Sequence, residues 1–219
     1  MIWATFPQGK GPAMTCNTDI MEKNNSLKSD NLHTVLFVSR NKDNDRLPGF
    51  KPRTRAQLKQ FNLYTPDGLQ LLSDETIGEQ VQQEFTEFMW RGVLGEMARI
   101  YVSINPRDLE KTRFDLIRRL LPPQSVSLPK LGGLAASIAS KPENRSGNRW
   151  LLDWDAEQVD PDFLQLLVSL GLHPICRSTP HGRAIIVEHG FDTRLIDRSL
   201  PVTVKKDGML CVGWGIRKN

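Results

Sequence analysis

The sequence predicts an α+β protein in which an antiparallel or mixed β-sheet packs helices on one of its faces. Runs rich in β-branched and aromatic residues alternate with runs of helical hydrophobic period, and the connections include both helices and short turns. With 219 residues, of which 39% are hydrophobic and 25% are charged, the chain is long enough to bury a substantial core.

The first half of the chain begins with a segment that lacks a hydrophobic period. Residues 1–30 mix Gly, Pro, Asn, Lys and Ser, so we interpret them as a flexible leader before a single domain, residues 31–219. The run "LHTVLFVSR" (32–40) predicts a strand, and the basic run 40–55 predicts either a solvated connection or a loop that follows a nucleic-acid backbone. From Asp74, "DETIGEQVQQEFTEFMW" has the spacing of an amphipathic helix.

A second strand leads into a second helix. "ARIYVSI" predicts the strand, and the following residues predict a helix with Asn105 as N-cap, Pro106 at the first helical position and Asp108 at the third. This helix is expected to stop at Pro122. A connection rich in Pro, Gly and Ser then runs to residue 147, with one short helix at "GLAASIAS".

The last third is denser in regular structure. "RWLLDWD", "HPICRS" and "GRAIIVE" predict strands, and "DPDFLQLLVSLG" predicts a helix that ends at Gly171. "VTVKKDGMLCVGW" predicts a hairpin around Asp207 and Gly208.

Net charge and cysteine content limit the kinds of partner and the cellular location that we expect for the protein. The net charge is +4 and the pI is about 9.0, which permits a polyanionic partner without requiring one. Cys16, Cys176 and Cys211 form no C-x-x-C pair, so they predict neither a zinc ribbon nor a disulfide framework. No run has the length of a membrane span or the apolar core of a secretion signal, so we expect a cytoplasmic protein without a membrane partner.

The stretch "LLDWD" carries the first chemical signal. Successive side chains of a strand point to opposite faces, so Asp153 and Asp155 are expected on one side. Two carboxylates at this spacing suit a hard cation such as Mg²⁺ or Mn²⁺. The alternative is a strand end whose acids cap the helix beginning near Pro161 and remain in solvent.

Four short motifs in order, "YVSINPR", "LLDWD", "STPHGRAIIV" and "VKKDG", resemble the catalytic core of the archaeo-eukaryotic primase superfamily, including its PrimPol-type and virus- or plasmid-encoded members. The similarity covers about residues 98–213. It implies an RRM-like sheet and a metal site in which Asp153, Asp155 and Asp207 hold Mg²⁺ or Mn²⁺. The resemblance also implies contacts to a nucleoside triphosphate, and the candidates are Ser178, Thr179, His181, Gly182, Arg183, Lys205, Lys206 and Arg107.

The second motif departs from the family pattern. That pattern has a hydroxyl residue, two further residues, Gly, one residue and a histidine before an apolar strand. Matching Thr179 and Gly182 to it places Ala184 at the histidine position. A shorter small-x-His form would select His181 instead. An alanine there is explained either by a natural loss of catalysis with binding retained or by a variant made to inactivate the enzyme, and both explanations stay open.

The resemblance therefore predicts a metal-dependent nucleotidyltransferase that adds nucleotides on a single-stranded or primed template, active or inactivated in this chain. It also implies a viral or mobile-element origin and a replication or host-system protein as a further partner. One alternative is a metal-dependent nuclease or phosphodiesterase using a histidine among His173, His181 and His189. Another is a non-catalytic module that binds nucleic acid or protein, for which Trp150, Trp154 and Trp214 are either core or stacking residues.

Overall fold

The computed structural model of the protein describes residues 31–52, 57–65, 75–121 and 128–218. The predicted leader, residues 1–30, lies outside these ranges. The described residues group into two compact units. The split unit comprises those up to Gly147 and those from Met209 onward, and the inserted unit comprises Asn148–Gly208.

Most of the predicted elements are present. In chain order the observed elements are β1 (Asn31–Ser39), α1 (Asn41–Asn44), β2 (Gln57–Thr65), α2 (Glu75–Met89), β3 (Met97–Ser103), α3 (Leu109–Leu120), α4 (Leu131–Ala139), β4 (Trp150–Trp154), α5 (Pro161–Ser169), β5 (Ile175–Thr179), β6 (Gly182–Val187), β7 (Val202–Lys205) and β8 (Met209–Ile216). The sequence patterns did not predict α1 and β2, and α1 lies within the run 40–55 that was predicted as a loop.

The split unit is built on a four-stranded antiparallel sheet with strand order β2-β1-β3-β8. Phe37 on β1 lies at the centre of its core and packs edge-on against Phe61 of β2 and Phe85 of α2, with ring centroids 5.2 and 5.3 Å away. The predicted apolar face of α2 therefore covers this sheet. The hydroxyl of Ser140, the residue after α4, accepts a 2.6 Å hydrogen bond from the side-chain amide of Gln60 in β2.

The start of α3 differs from the prediction. Asp108 is the N-cap, and its carboxylate accepts a 2.9 Å hydrogen bond from the backbone N–H of Lys111. That hydrogen bond lowers the pKa of Asp108. The predicted N-cap, Asn105, is buried instead, and a Cβ added to Gly147 would lie 2.7 Å from its side-chain oxygen. Asn105 therefore packs against Gly147, and Asp108 takes the capping position of α3.

A buried ion pair joins α1 to β3. The guanidinium of Arg99 donates two hydrogen bonds, 2.8 and 2.6 Å, to the carboxylate of Asp43, and Arg40 donates two more at 3.0 and 2.9 Å. Burial alone would raise the pKa of Asp43, but the hydrogen bonds and charges of Arg40 and Arg99 lower it below its ordinary value of 3.8. This cluster fixes the run after β1 to the sheet.

The inserted unit has its own four-stranded antiparallel sheet, with order β5-β6-β4-β7. The helix α5 packs on one face, where Phe163 and Leu167 contact a cluster that includes Leu152 and Trp154. The Trp154 and Phe163 ring centroids are 5.2 Å apart, and the Trp154 indole donates a 2.9 Å hydrogen bond to the carbonyl of Gln158. The other face of this sheet carries the buried side chains of Leu151, Ala184 and Ile186 together with the polar residues considered below.

The predicted hairpin at Asp207 and Gly208 is wrong. β7 pairs with β4, while β8 pairs with β3, so the two strands belong to different sheets. Gly208 is the last residue of the inserted unit, and a Cβ there would lie 2.7 Å from a methyl group of Leu151. The Asp-Gly turn thus leads the chain from one unit into the other.

The α+β class is confirmed, with two antiparallel sheets in the range where the sequence predicts one. Cys211 is buried, and burial raises the pKa of its thiol to about 11, so this cysteine packs as a small apolar residue. Within the described ranges, no helix combines the length and apolar character needed to cross a bilayer.

We predict that Asp43→Ala lowers the free energy of unfolding by about 3 kcal/mol at neutral pH, because it leaves the buried Arg99 guanidinium without its carboxylate. The folded-state pKa of Asp43 is below 3.8, so its contribution is complete above that pH and is lost as the pH falls through the folded value.

Urea unfolding of wild type and variant at pH 7 and at several values below 4 measures both effects. Asp45→Ala, which removes an exposed acid from the same segment, is the matched control and should change stability little. Equal losses for the two variants, or a difference that does not depend on pH, would contradict the assignment.

Candidate functional site

Four residues form a row across the sheet of the inserted unit, and this row positions the candidate site. Arg177 of β5 lies opposite Ala184 of β6, Ala184 lies opposite Asp153 of β4, and Asp153 lies opposite Thr203 of β7. Directly opposed residues of antiparallel strands project from the same face. Because Leu152 and Trp154, the neighbours of Asp153, pack on α5, the row lies on the face away from that helix. We call this surface the acidic-strand face.

Asp153 lies between Ala184 and Thr203 on the acidic-strand face. Its carboxylate is 2.5 Å from the ammonium nitrogen of Lys205, and the two side chains are 35% and 43% exposed. Lys205 lies opposite Leu151, two residues before Asp153 in β4, so it projects from the same face in the neighbouring row. Asp153 and Lys205 are thus neighbours on this face. The ammonium group of Lys205 contacts the carboxylate that was predicted to bind a metal cation.

Asp155 follows the last residue of β4 and is exposed. Its backbone N–H donates a 2.8 Å hydrogen bond to the carbonyl of Pro201, which extends the β4–β7 contact by one residue. In the described part of the chain, its carboxylate has no hydrogen bond or ion pair. Asp160, the N-cap of α5, accepts the capping hydrogen bond from Asp162, so Asp155 is not the helix cap that the alternative interpretation required.

The register separates several predicted nucleotide contacts from Asp153. Ser178 and Arg183 lie opposite each other, one residue along from the Arg177–Ala184 pair, so both project from the face that packs on α5. Arg183 hydrogen bonds to the Ser178 hydroxyl and donates a 2.8 Å hydrogen bond to the carbonyl of Glu157. These contacts hold the loop after β4, and they give Arg183 a structural role where a phosphate contact was predicted.

The packing of two strands requires a glycine at position 182. A Cβ at this position would overlap the carbonyl oxygen of Trp154 and lie 3.0 Å from the backbone nitrogen of Ala156. Only glycine therefore lets the start of β6 lie against the end of β4, beside Asp155. The sequence pattern assigns this glycine to the approach of a phosphate, whereas the structure uses it for the approach of two strands.

The remaining candidates lie around the edge of this sheet or in the other unit. Thr179 is the last residue of β5, and the exposed His181 lies in the turn that follows. The Lys206 ammonium lies 5.2 Å from the centroid of the Trp150 ring, and Asp207 follows it in the turn after β7. Arg107 belongs to the split unit, where it is buried and its backbone N–H donates a 2.7 Å hydrogen bond to Leu32.

The donor set fits a cation that is held jointly by protein and substrate. Among the described residues, no three His, Cys, Asp or Glu side chains are grouped as ligands of one ion, so Asp153, Asp155 and Asp207 do not form the predicted set of three. Mg²⁺ is commonly bound through one or two carboxylates with waters and substrate phosphates. Asp153 and Asp155 can supply such carboxylates, whereas a cage made entirely of protein ligands is not present in this part of the chain.

The residues of the alternative hypotheses are dispersed. His173, His181 and His189 are exposed, and none joins Asp153 and Asp155 in a group of metal ligands within the described residues. Trp154 is buried, and Trp150 packs against Phe191 with centroids 5.9 Å apart. These two tryptophans belong to the core of the inserted unit and do not form a stacking platform.

Two residues of the acidic-strand face were missed by the sequence patterns: Arg177 and Thr203. Neither belongs to a motif, and the run "ICRST" has no alternation of apolar and polar residues that would reveal its inward face. Only the pairing register of β5, β6 and β4 brings Arg177 into the row of Asp153.

No family model, no curated protein and no solved structure matches this chain. The structure is therefore the basis for the function proposed below.

We predict that Gly182→Ala destabilises the protein by about 1–3 kcal/mol, because its Cβ meets the backbone of Trp154 and Ala156, which has no rotamer to change. Gly132→Ala is the matched control, since a Cβ at Gly132, in α4, meets nothing within 4 Å. The control should be neutral or stabilising by up to about 1 kcal/mol. Denaturant unfolding measures both, and equal stability of the two variants would contradict the close approach.

Proposed function

We propose that the protein is a metal-dependent nucleotidyltransferase of the primase-polymerase type, or an inactivated member that still binds nucleotides, with its site on the acidic-strand face. The observation that carries the proposal is the register of β4 and β6, in which Asp153 lies directly opposite Ala184. The acid of the first motif and the histidine position of the second are thus neighbours on one face, as the resemblance requires of residues that share a substrate.

Different residues of the acidic-strand face would bind the metal cation and the phosphates. Asp153 and Asp155 would hold Mg²⁺ or Mn²⁺ together with substrate phosphates, and the ion would supply charge neutralisation during phosphoryl transfer. Lys205, at 43% exposure beside Asp153, can leave the carboxylate and contact a phosphate oxygen. The Ala184 side chain offers no hydrogen bond at the centre of the row, so this chain lacks one contact that the family pattern includes.

A nucleic-acid strand is the proposed second substrate. In the split unit, Lys42, Arg46 and Lys51 are exposed cations of the segment between β1 and β2. Their charge would attract a single-stranded or primed template, and this attraction would weaken with salt. We further propose a cytoplasmic setting and a replication or host-system protein as a partner.

The test is incorporation of labelled nucleotides on single-stranded and primed templates with Mn²⁺. Wild type, Ala184→His and the double variant Ala184→His with Asp153→Asn are compared. We expect the histidine to raise incorporation at least tenfold by restoring a phosphate contact, and the added Asp153→Asn to abolish it, because the amide carries no charge for the cation.

Because Ala184 is only 2% exposed, the histidine adds volume to a closely packed position, and thermal unfolding must show that each variant is folded. Incorporation that survives Asp153→Asn would contradict the proposal. So would the absence of both incorporation and Mn²⁺-dependent nucleotide binding in folded wild type and Ala184→His.

A second prediction concerns the Lys205–Asp153 pair. Lys205→Gln removes the cation that competes for the carboxylate, and an exposed pair of this kind contributes about 0.2–1 kcal/mol. Affinity for Mn²⁺ without nucleotide should therefore rise by up to about fivefold, while affinity for a nucleoside triphosphate falls.

Electron paramagnetic resonance of free Mn²⁺ measures the first effect, and calorimetry measures the second. Lys206→Gln is the matched control, because it removes the neighbouring lysine, whose ammonium lies over the Trp150 ring, and its Mn²⁺ affinity should match wild type. A fall in Mn²⁺ affinity for Lys205→Gln would contradict competition between the lysine and the ion.

A further inference from the structure

We propose that Arg177 binds the terminal phosphates of the nucleoside triphosphate, an inference that rests on the function proposed above. Neither the motifs nor the comparisons point to this residue. Its assignment comes from the register, which places it in the same row and on the same face as Asp153.

The spacing of the row suits an extended phosphate chain. Arg177 and Asp153 lie on strands that flank β6, so their backbones are separated by two strand spacings, about 10 Å. A nucleotide whose first phosphate shares the cation at Asp153 would extend its outer phosphates across Ala184 toward Arg177. The charges follow the same order, with a carboxylate for the cation at one end and a guanidinium for the anion at the other.

Arg177 is also available for a ligand. It is exposed, and among the described residues its guanidinium has no ion pair or hydrogen bond. Two other arginines of the inserted unit differ in this respect, because Arg183 holds the Ser178 hydroxyl and the Glu157 carbonyl, and Arg194 is paired with Asp192. Arg177 therefore does not have to give up a partner within the described structure when it binds a phosphate.

Ala184 lies between the two charged ends of the row. Its methyl side chain is only 2% exposed, so the ligand would contact the more exposed side chains of Asp153 and Arg177 on either side and not Ala184 itself. A bulkier apolar residue at this point would stand between Asp153 and Arg177. The planar guanidinium can donate two parallel hydrogen bonds to phosphate oxygens, which partly replaces the contact that the absent histidine would have made.

The experiment measures affinity for a nucleoside triphosphate and for the corresponding monophosphate, with Mn²⁺, by calorimetry. Arg177→Ala should weaken triphosphate binding about tenfold and leave monophosphate binding unchanged, because only the triphosphate reaches the guanidinium. Arg177→Lys should recover part of the loss. Arg198→Ala, which removes an exposed charge from the same unit, should match wild type, and all variants should have the melting temperature of wild type.

The possible outcomes separate this inference from the proposed function. Wild type that binds the triphosphate with Mn²⁺ and an Arg177→Ala variant of equal affinity would overturn the role of Arg177 alone. Equal losses for triphosphate and monophosphate would also overturn it, since they would indicate a structural effect. If neither wild type nor Ala184→His binds any nucleotide, the proposed function and this inference both fail.

Discussion

The contact between Gly182 and the backbone of Trp154 is the constraint on which the acidic-strand face depends. It fixes where β6 begins against the end of β4, and that register sets Asp153 opposite Ala184 and, one strand further, Arg177 in the same row. A shift of one residue would turn every side chain of β6 to the other face. The charged row is therefore a consequence of backbone packing and not of any motif residue acting alone.

The same alternation separates structure from chemistry within the inserted unit. Leu152, Trp154 and Ile185 point toward α5 and form the core, while Asp153 and Ala184 point away from it. Ser178 and Arg183 belong to the core side, where they hold the loop after β4. Charges of both signs remain on the acidic-strand face, which suits a ligand that carries a cation and phosphates together.

Local patterns predicted most of the elements, missed α1 and β2, and predicted the pairing of strands poorly. The periodicity of "LHTVLFVSR" and of the run from Asp74 identified β1 and α2, because burial of one face leaves a repeating signal. The predicted N-cap of α3 was Asn105, whereas the observed N-cap is Asp108. Both residue types can cap a helix, and Asn105 packs against Gly147 instead. The Asp-Gly turn was read as a hairpin because a sequence cannot show that β7 and β8 pair with different strands. For the same reason the sequence did not show that Ser178, a predicted nucleotide contact, lies on the α5 side and that Arg177 lies in the row of Asp153.

The central claim is that Asp153 and Arg177 bind opposite ends of one metal–nucleotide ligand. Crystals grown with Mn²⁺ and a non-hydrolysable nucleoside triphosphate, measured at the manganese absorption edge, test it directly. We expect an anomalous peak at about 2.0–2.3 Å from a carboxylate oxygen of Asp153, with the outer phosphates within hydrogen-bond distance of the Arg177 guanidinium. Manganese bound elsewhere, or a triphosphate on the α5 side of the sheet, would contradict it.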